Sequence, residues 1–353
     1  MAEVELNDLK ADILVIFKQI VANKISAGDK GRALFLYKNE SLEESYKIST
    51  YKSAILSLED EKLEGYIKQL FKGGCQKVTV IEYKTEMADF VSAIDNLLPN
   101  FDWIMSTDTG IQTDVKAYAM ENEKFAMVYN IEADSINVCS IINPNAVLKN
   151  DDGTTTNITG LELIPIVGGV ACGCPYNMSI TYKVFDELQS VGQPQTYKLG
   201  QLTLYPEEEG IRLANACNTL QTLNANYTED MKSLAIAEGM RRIKADIVKA
   251  FRTGYKGKYK NNYDNQCLFY SAVNYGYIKE LENLGILDPN YDNEIYTDIE
   301  TQRSAWLAVG KTEAQNWSDD EVCKYTYKNM IYATLDVKLL DAIEGIKLTV
   351  EMF

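Results

Sequence analysis

The chain has no histidine. That absence excludes Ser-His-Asp and Cys-His nucleophile systems, imidazole acid–base catalysis and imidazole metal ligands together. Carboxylate, lysine and tyrosine chemistry remain open. A second absence is a run of about 18 apolar residues, so no segment reads as a membrane span. Basic charge is scarce: 35 Lys and Arg face 51 Asp and Glu, a net −16. Such a balance disfavours nucleic-acid binding, because phosphates demand basic surface. Seven cysteines, an odd number at scattered spacings, make no disulfide framework. With an acidic start (Glu3, Glu5) in place of a basic secretory leader, the chain is expected to be made and kept in a reducing cytoplasm.

What is present is ordinary globular composition, 46% hydrophobic and 24% charged over 353 residues, enough for two domains. Tyrosine is frequent, at 23 residues, and its amphipathic ring suits protein–protein surfaces. Strand-like runs at 13–17, 31–37, 77–83, 102–105 and 125–129 alternate with helical stretches at 60–71, 86–98 and 113–122. The first of these helices ends on Gly73-Gly74 and the second at Pro99. Strand–helix alternation at this spacing argues for a parallel sheet with crossover helices. Residues 144–160 hold a polar, turn-rich loop at 150–156, and 161–175 read as an apolar, glycine-rich helix or strand packed closely against the sheet.

Near residue 225 the texture becomes helical. Thr228 reads as a cap, and Ile236, Met240, Ile243, Ile247 and Phe251 form an amphipathic stripe. Leu268 to Leu281 supply a second helix ending at Gly285, and Ser318 to Glu321 a capping box for a third. Two closing strands are expected, around 330–335 and 346–353.

Several chemical motifs fail on inspection. Gly310-Lys311-Thr312 lacks the upstream glycine of a phosphate loop, since Ala305 stands there. Asp288, Asn290 and Asp292 open like a calcium loop, but Asn293 and Ile299 occupy the positions that require glycine and glutamate. Asp108-Thr109-Gly110 occurs once, whereas aspartic-protease chemistry needs two such carboxylates. It reads as a turn and cap, leaving one alternative: an α/β enzyme or small-molecule binder with its site at the strand C-termini near Asp108. Cys172 and Cys174 are too few for a structural zinc. Neither a cofactor nor a metal is expected.

Two features point to assembly. Arg241, Arg242, Lys244, Lys249, Arg252, Lys256, Lys258 and Lys260 crowd around a single acid, Asp246, a local charge of +7 in a chain of −16. That inversion reads either as a solvated helix face or as a dock for an acidic partner surface. At the end of the chain Ile346, Leu348, Val350 and Met352 alternate with polar residues. Such a strand can pair within its own domain, the reading the sequence alone favours, or be lent to a neighbour's sheet edge.

These residues resemble a family. The segment 161–182, where Gly168, Gly169 and Gly173 lead into Ser179 and Thr181, is similar to one in contractile phage tail sheath proteins. So are Asn218-Thr219-Leu220, the helix through Arg241 and Asp246 with its Gly257-Lys258 turn, and the closing Asp341-Ala342-Ile343-Glu344. The resemblance is best from about residue 160 onward and suits the compact sheaths of phage-tail-like R-type bacteriocin particles. It implies an N-terminal arm (1–25), an α/β core that is parallel-sheet and subtilisin-like in shape (26–224), an α+β domain facing the tube (225–340) and a C-terminal arm strand (341–353).

The implied role is structural and non-enzymatic: hexameric rings stack helically around an inner tube and contract to drive it through a target envelope. The implied partners are copies of the chain, the inner tube protein, and baseplate and tail terminator proteins, with no nucleic acid and no membrane insertion. By the same resemblance Leu14, Ile16, Ile346, Leu348, Val350 and Met352 would lie in intersubunit strands. Arg241, Arg242, Lys244, Lys249, Arg252, Lys256 and Lys258 would contact tube or neighbour.

Overall fold

The computed structural model describes residues 30–54, 57–350 and 352. The described residues group into two compact units, one within Ala27–Glu238 and Asp341–Phe353, the other within Gly239–Leu340. The division falls at Glu238, inside a helix and later than the change of sequence texture near 225. The expected strand at 13–17, with Leu14 and Ile16, lies outside the described residues.

In the first unit, β1 (Arg32–Lys38), β2 (Tyr46–Tyr51), β3 (Lys77–Tyr83), β4 (Trp103–Ser106), β5 (Phe125–Tyr129) and β6 (Val138–Ile141) form one sheet in the order β2-β3-β1-β4-β5-β6. Every neighbouring pair is parallel except β2 with β3, an antiparallel edge that the sequence reading did not anticipate. The parallel strands are buried on both faces, so they read as near-continuous apolar runs. Side chains alternate between two cores. Phe35, Val80, Trp103, Met105 and Met127 face one, Leu34, Leu36, Ile81, Ile104 and Val128 the other.

The first core is covered by α1 (Glu61–Lys72), and the second by α2 (Val91–Leu97) and α3 (Gln112–Glu121). Asp60 caps α1 by accepting from the Leu63 amide at 3.0 Å. The helix expected over 86–98 is broken: a 3-10 turn, Met87–Asp89, precedes α2.

The polar loop within 144–160 is the turn of a hairpin. The hairpin consists of β7 (Asn145–Lys149) and β8 (Thr155–Thr159), with Ala146 and Ile158 buried and only the turn at 150–154 irregular. α4 (Ile164–Gly173) follows, and β9 (Leu188–Val191) joins the hairpin in the order β8-β7-β9. β10 (Leu204–Glu207) and β11 (Gly210–Leu213) make a further hairpin.

Glycines let α4 sit directly on α1. A Cβ on Gly169 would lie 2.9 Å from Leu70 Cα, and one on Gly173 2.5 Å from the Gly73 carbonyl oxygen. Gly169 therefore serves close backbone packing, whereas Gly168 makes room for a side chain of the sheet, a Cβ there lying 2.9 Å from Met105 Sδ.

The second unit contains α5 (Leu234–Ala250) from Gly239 onward, extended by a π turn at Phe251–Tyr255. α6 (Tyr263–Ser271), a π stretch at Ala272–Ile278 and α7 (Lys279–Asn283) replace the single helix expected there. β12 (Glu294–Thr297), α8 (Ile299–Ala308), α9 (Asp319–Lys324) and β13 (Ala333–Asp336) complete it. β12 and β13 pair antiparallel as a two-stranded sheet. Ser318 and Glu321 close the expected capping box on α9, whereas Thr228 makes no side-chain cap and a 3-10 turn, Glu229–Lys232, stands there. The closing strand expected at 346–353 is not formed: no residue of 341–350 is in a strand.

Candidate functional site

The basic stretch lies along α5 and the turn after it. Ile243, Asp246 and Ala250 point inward, while Lys244, Val248, Lys249 and Arg252 are exposed at helical spacing. Lys256 and Lys258 continue the exposed row, Lys258 Nζ donating to the Thr253 carbonyl at 2.6 Å. Arg242 departs from the expectation of an outward contact. Its side chain is 12% exposed and its Nε donates to Asp246 Oδ2 at 2.6 Å. Tyr277 donates its hydroxyl to the same oxygen at 3.0 Å. Arg242 and Asp246 thus tie α5 to the π stretch, since a buried carboxylate needs partners. Arg241 is half-buried.

Sequence reasoning missed an apolar groove within the second unit. Ile243, Ile247 and Phe251 line it from the helix side, Ile295, Ile331 and Leu335 from the sheet side. The amphipathic stripe was the available signal, but periodicity gives the apolar face of a helix without saying how much of it is covered.

The closing segment runs out bare. Ile346 is 89% exposed, Leu348 75%, and Val350 and Met352 are similarly open. The intramolecular pairing that the sequence alone favoured is absent among the described residues, where the alternation has no buried face.

The order of the large sheet reverses between β1 and β4, where ligands collect in doubly wound sheets. Here several polar side chains at the strand ends bond to one another beside an open pocket of about 1270 Å³ lined by Lys38, Lys84 and Asp108. Asp108 Oδ2 accepts from the Tyr83 hydroxyl at 2.6 Å and Oδ1 from the Gly110 amide at 2.9 Å, the turn-capping role expected of it. Tyr37 donates to Asp60 and Tyr66 to Glu162, both at 2.8 Å. Burial and these carboxylate partners raise the hydroxyl pKa of Tyr37, Tyr66 and Tyr83, which keeps all three as donors. Burial alone would raise Glu162, but the Thr159 amide, Lys62 and Tyr66 outweigh it and hold the carboxyl at about 2.

The motif at Gly310 is a left-handed helix end (φ 87°), and Asp288 folds back on the Asn290 amide and Lys338. No group of three or more metal-ligating side chains occurs among the described residues, and no helix there is long and apolar enough to cross a membrane.

Residues 227–353 match the family described as phage tail sheath C-terminal domain. Over 97% of its length the chain is 26% identical to a tail sheath protein of Clostridium phage phiCD119, spanning 99% of that relative. The chain is similar to tail sheath proteins along nearly its whole length. Its fold is similar to the crystal structure of the sheath tail protein from Listeria innocua, with TM-score 0.63 and 12% identity over 94% of this chain and 100% of that one. It is equally similar to the helical sheath of the anti-feeding prophage in its contracted state, with TM-score 0.63 and 14% identity over 93% and 97%. The likeness thus runs from the large sheet to the closing segment, beyond the residues that the family model matches.

Proposed function

We propose that the chain is the structural subunit of a contractile tail sheath, polymerising in stacked hexameric rings around an inner tube and contracting to drive that tube through a target envelope. The observation that carries this reading is the bare closing segment in a chain that matches sheath proteins along nearly its whole length. Alternating apolar residues gain nothing in water and much at a sheet edge, so Ile346, Leu348, Val350 and Met352 become an arm strand for a neighbouring subunit. Among the described residues β12 and β13 form a sheet of two strands, short of independent stability, and we take it as the acceptor. Leu14 and Ile16 are assigned the corresponding role at the other arm.

Lys244, Lys249, Arg252, Lys256 and Lys258 present the basic row to an acidic surface of tube or neighbour, which an overall acidic subunit itself provides. Arg241 and Arg242 support the helix from behind. Within this reading the subunit is made in the bacterial cytoplasm, is built into a phage tail or tail-like particle with tube, baseplate and terminator proteins, and performs no catalysis. Co-sedimentation of the purified chain with its inner tube protein tests the proposal. Pelleting in a fixed stoichiometry is expected, and a chain that stays in the supernatant at every salt concentration refutes it.

A further inference from the structure

Two stretches singled out by sequence, the turn at Ser179 and Thr181 and the closing Asp341–Glu344, meet in the first unit. Thr181 Oγ1 donates to Glu344 Oε1 at 2.6 Å while accepting from the Ala216 amide at 2.7 Å. Ser179 Oγ reaches the same carboxylate oxygen at 3.5 Å. Asp341 Oδ1 accepts from Ser233 Oγ at 2.9 Å and from the following Ala342 amide at 2.8 Å. The contact side is orderly, because Thr181 is itself fixed by a backbone amide. The Cys217 thiol, next to Ala216, is pushed up to about 11, chiefly by burial, with the Glu344 carboxylate adding to it.

Beyond Glu344 the described residues of the segment are exposed. A Cβ on Gly345 would meet no atom within 4 Å, and the apolar residues that follow are bare. Asp341-Ala342-Ile343-Glu344 is therefore no part of a strand. Its two carboxylates are spent on hydroxyls of the unit it leaves.

We propose that Asp341 and Glu344, held by Ser233, Thr181 and Ser179, are positioning residues that clamp the closing segment to the first unit and make Gly345 the point from which it departs toward a neighbouring copy. The destination rests on the sheath reading; the clamp does not. An anchored root lowers the conformational freedom lost when the free part pairs, so the clamp raises the rate and regularity of assembly without adding an intersubunit contact.

Hydrogen–deuterium exchange on the unassembled full chain tests it, with assembly on inner tubes as second readout. Backbone amides of 342–345 should exchange more slowly than those of 347–350. Glu344→Ala should speed exchange of 342–345 at least about fivefold, leaving the protection of the large sheet unchanged. Thr181→Ser, which keeps the hydroxyl, should retain the parent pattern where Thr181→Val loses it. On tubes, Glu344→Ala should give slower and shorter assemblies. Equal exchange of 342–345 and 347–350 in the parent chain, or no change in Glu344→Ala, overturns the clamp. A chain that shows the protection pattern and never assembles supports the clamp and overturns the sheath reading instead.

Discussion

Substituting alanine for helical glycines separates packing from propensity, because the structure predicts opposite signs at two sites close together. Gly65 lies within α1 with no atom within 4 Å of an added Cβ. Gly65→Ala should stabilise by up to about 1 kcal/mol, the helix propensity difference. Gly169 lies in α4, where the same methyl would sit 2.9 Å from Leu70 Cα and 3.1 Å from two carbonyl oxygens, all backbone atoms that no rotamer change can move. The propensity gain of about 1 kcal/mol is outweighed by overpacking of about 2–3 kcal/mol, the upper part of the usual range, since two helices must separate. Gly169→Ala should therefore lose about 1–2 kcal/mol, and Gly173→Ala, at 2.5 Å from the Gly73 oxygen, at least as much. Urea unfolding followed by far-UV circular dichroism on the full chain measures both, and a Tm shift of about 2–4 °C per kcal/mol accompanies them. Gly169→Ala as stable as the parent, or Gly65→Ala clearly less stable, refutes the glycine-mediated contact between α1 and α4.

Other outcomes follow from the same structure. Asp246→Ala strips a buried partner from Arg242 and should cost about 2–3 kcal/mol in thermal unfolding, against about 1 kcal/mol for Tyr277→Phe. Because Glu162 is held at about 2 in the folded chain and titrates near 4.3 when unfolded, its contribution is complete above that range and fades as pH falls toward 2. Glu162→Gln should flatten this acid limb by about 1–2 kcal/mol after allowance for solvent screening, as read from denaturant midpoints at pH 2 to 6. Reversing Lys244, Lys249, Arg252, Lys256 and Lys258 to Glu should abolish co-sedimentation with tubes while the Tm moves by less than about 5 °C; unimpaired binding would remove the basic row from the account.

The α/β core was legible because parallel strands buried on both faces leave long apolar signatures, as in β3 and β5, and because Asp60 and Gly73 punctuate α1. The β7–β8 hairpin was not. Its strands carry Thr155, Thr156 and Asn157 on exposed positions and bury little beyond Ala146 and Ile158, so composition said loop while cross-strand pairing made a sheet. The π stretches around Phe251 and Ala272 have no sequence signature that periodicity detects. Arg242 was counted with the outward cations because charge runs say nothing of rotation about a helix, and Asp246 four residues on turns it inward. The closing alternation reads as an amphipathic strand pattern, yet residues 341–350 form no strand, because the pattern states only which face would be buried. The partner that buries it is not written in those residues, and neither was the pairing of Thr181 with Glu344 across a long sequence separation.

High-resolution electron cryomicroscopy of the chain assembled on its inner tube tests the central claim most directly. The account predicts a tubular helical lattice in which density for Ile346 to Met352 leaves one subunit after Gly345 and adds a strand to the β12–β13 sheet of a neighbour. Only discrete small particles in the presence of tube, or a lattice in which that segment folds back onto its own subunit, would contradict it.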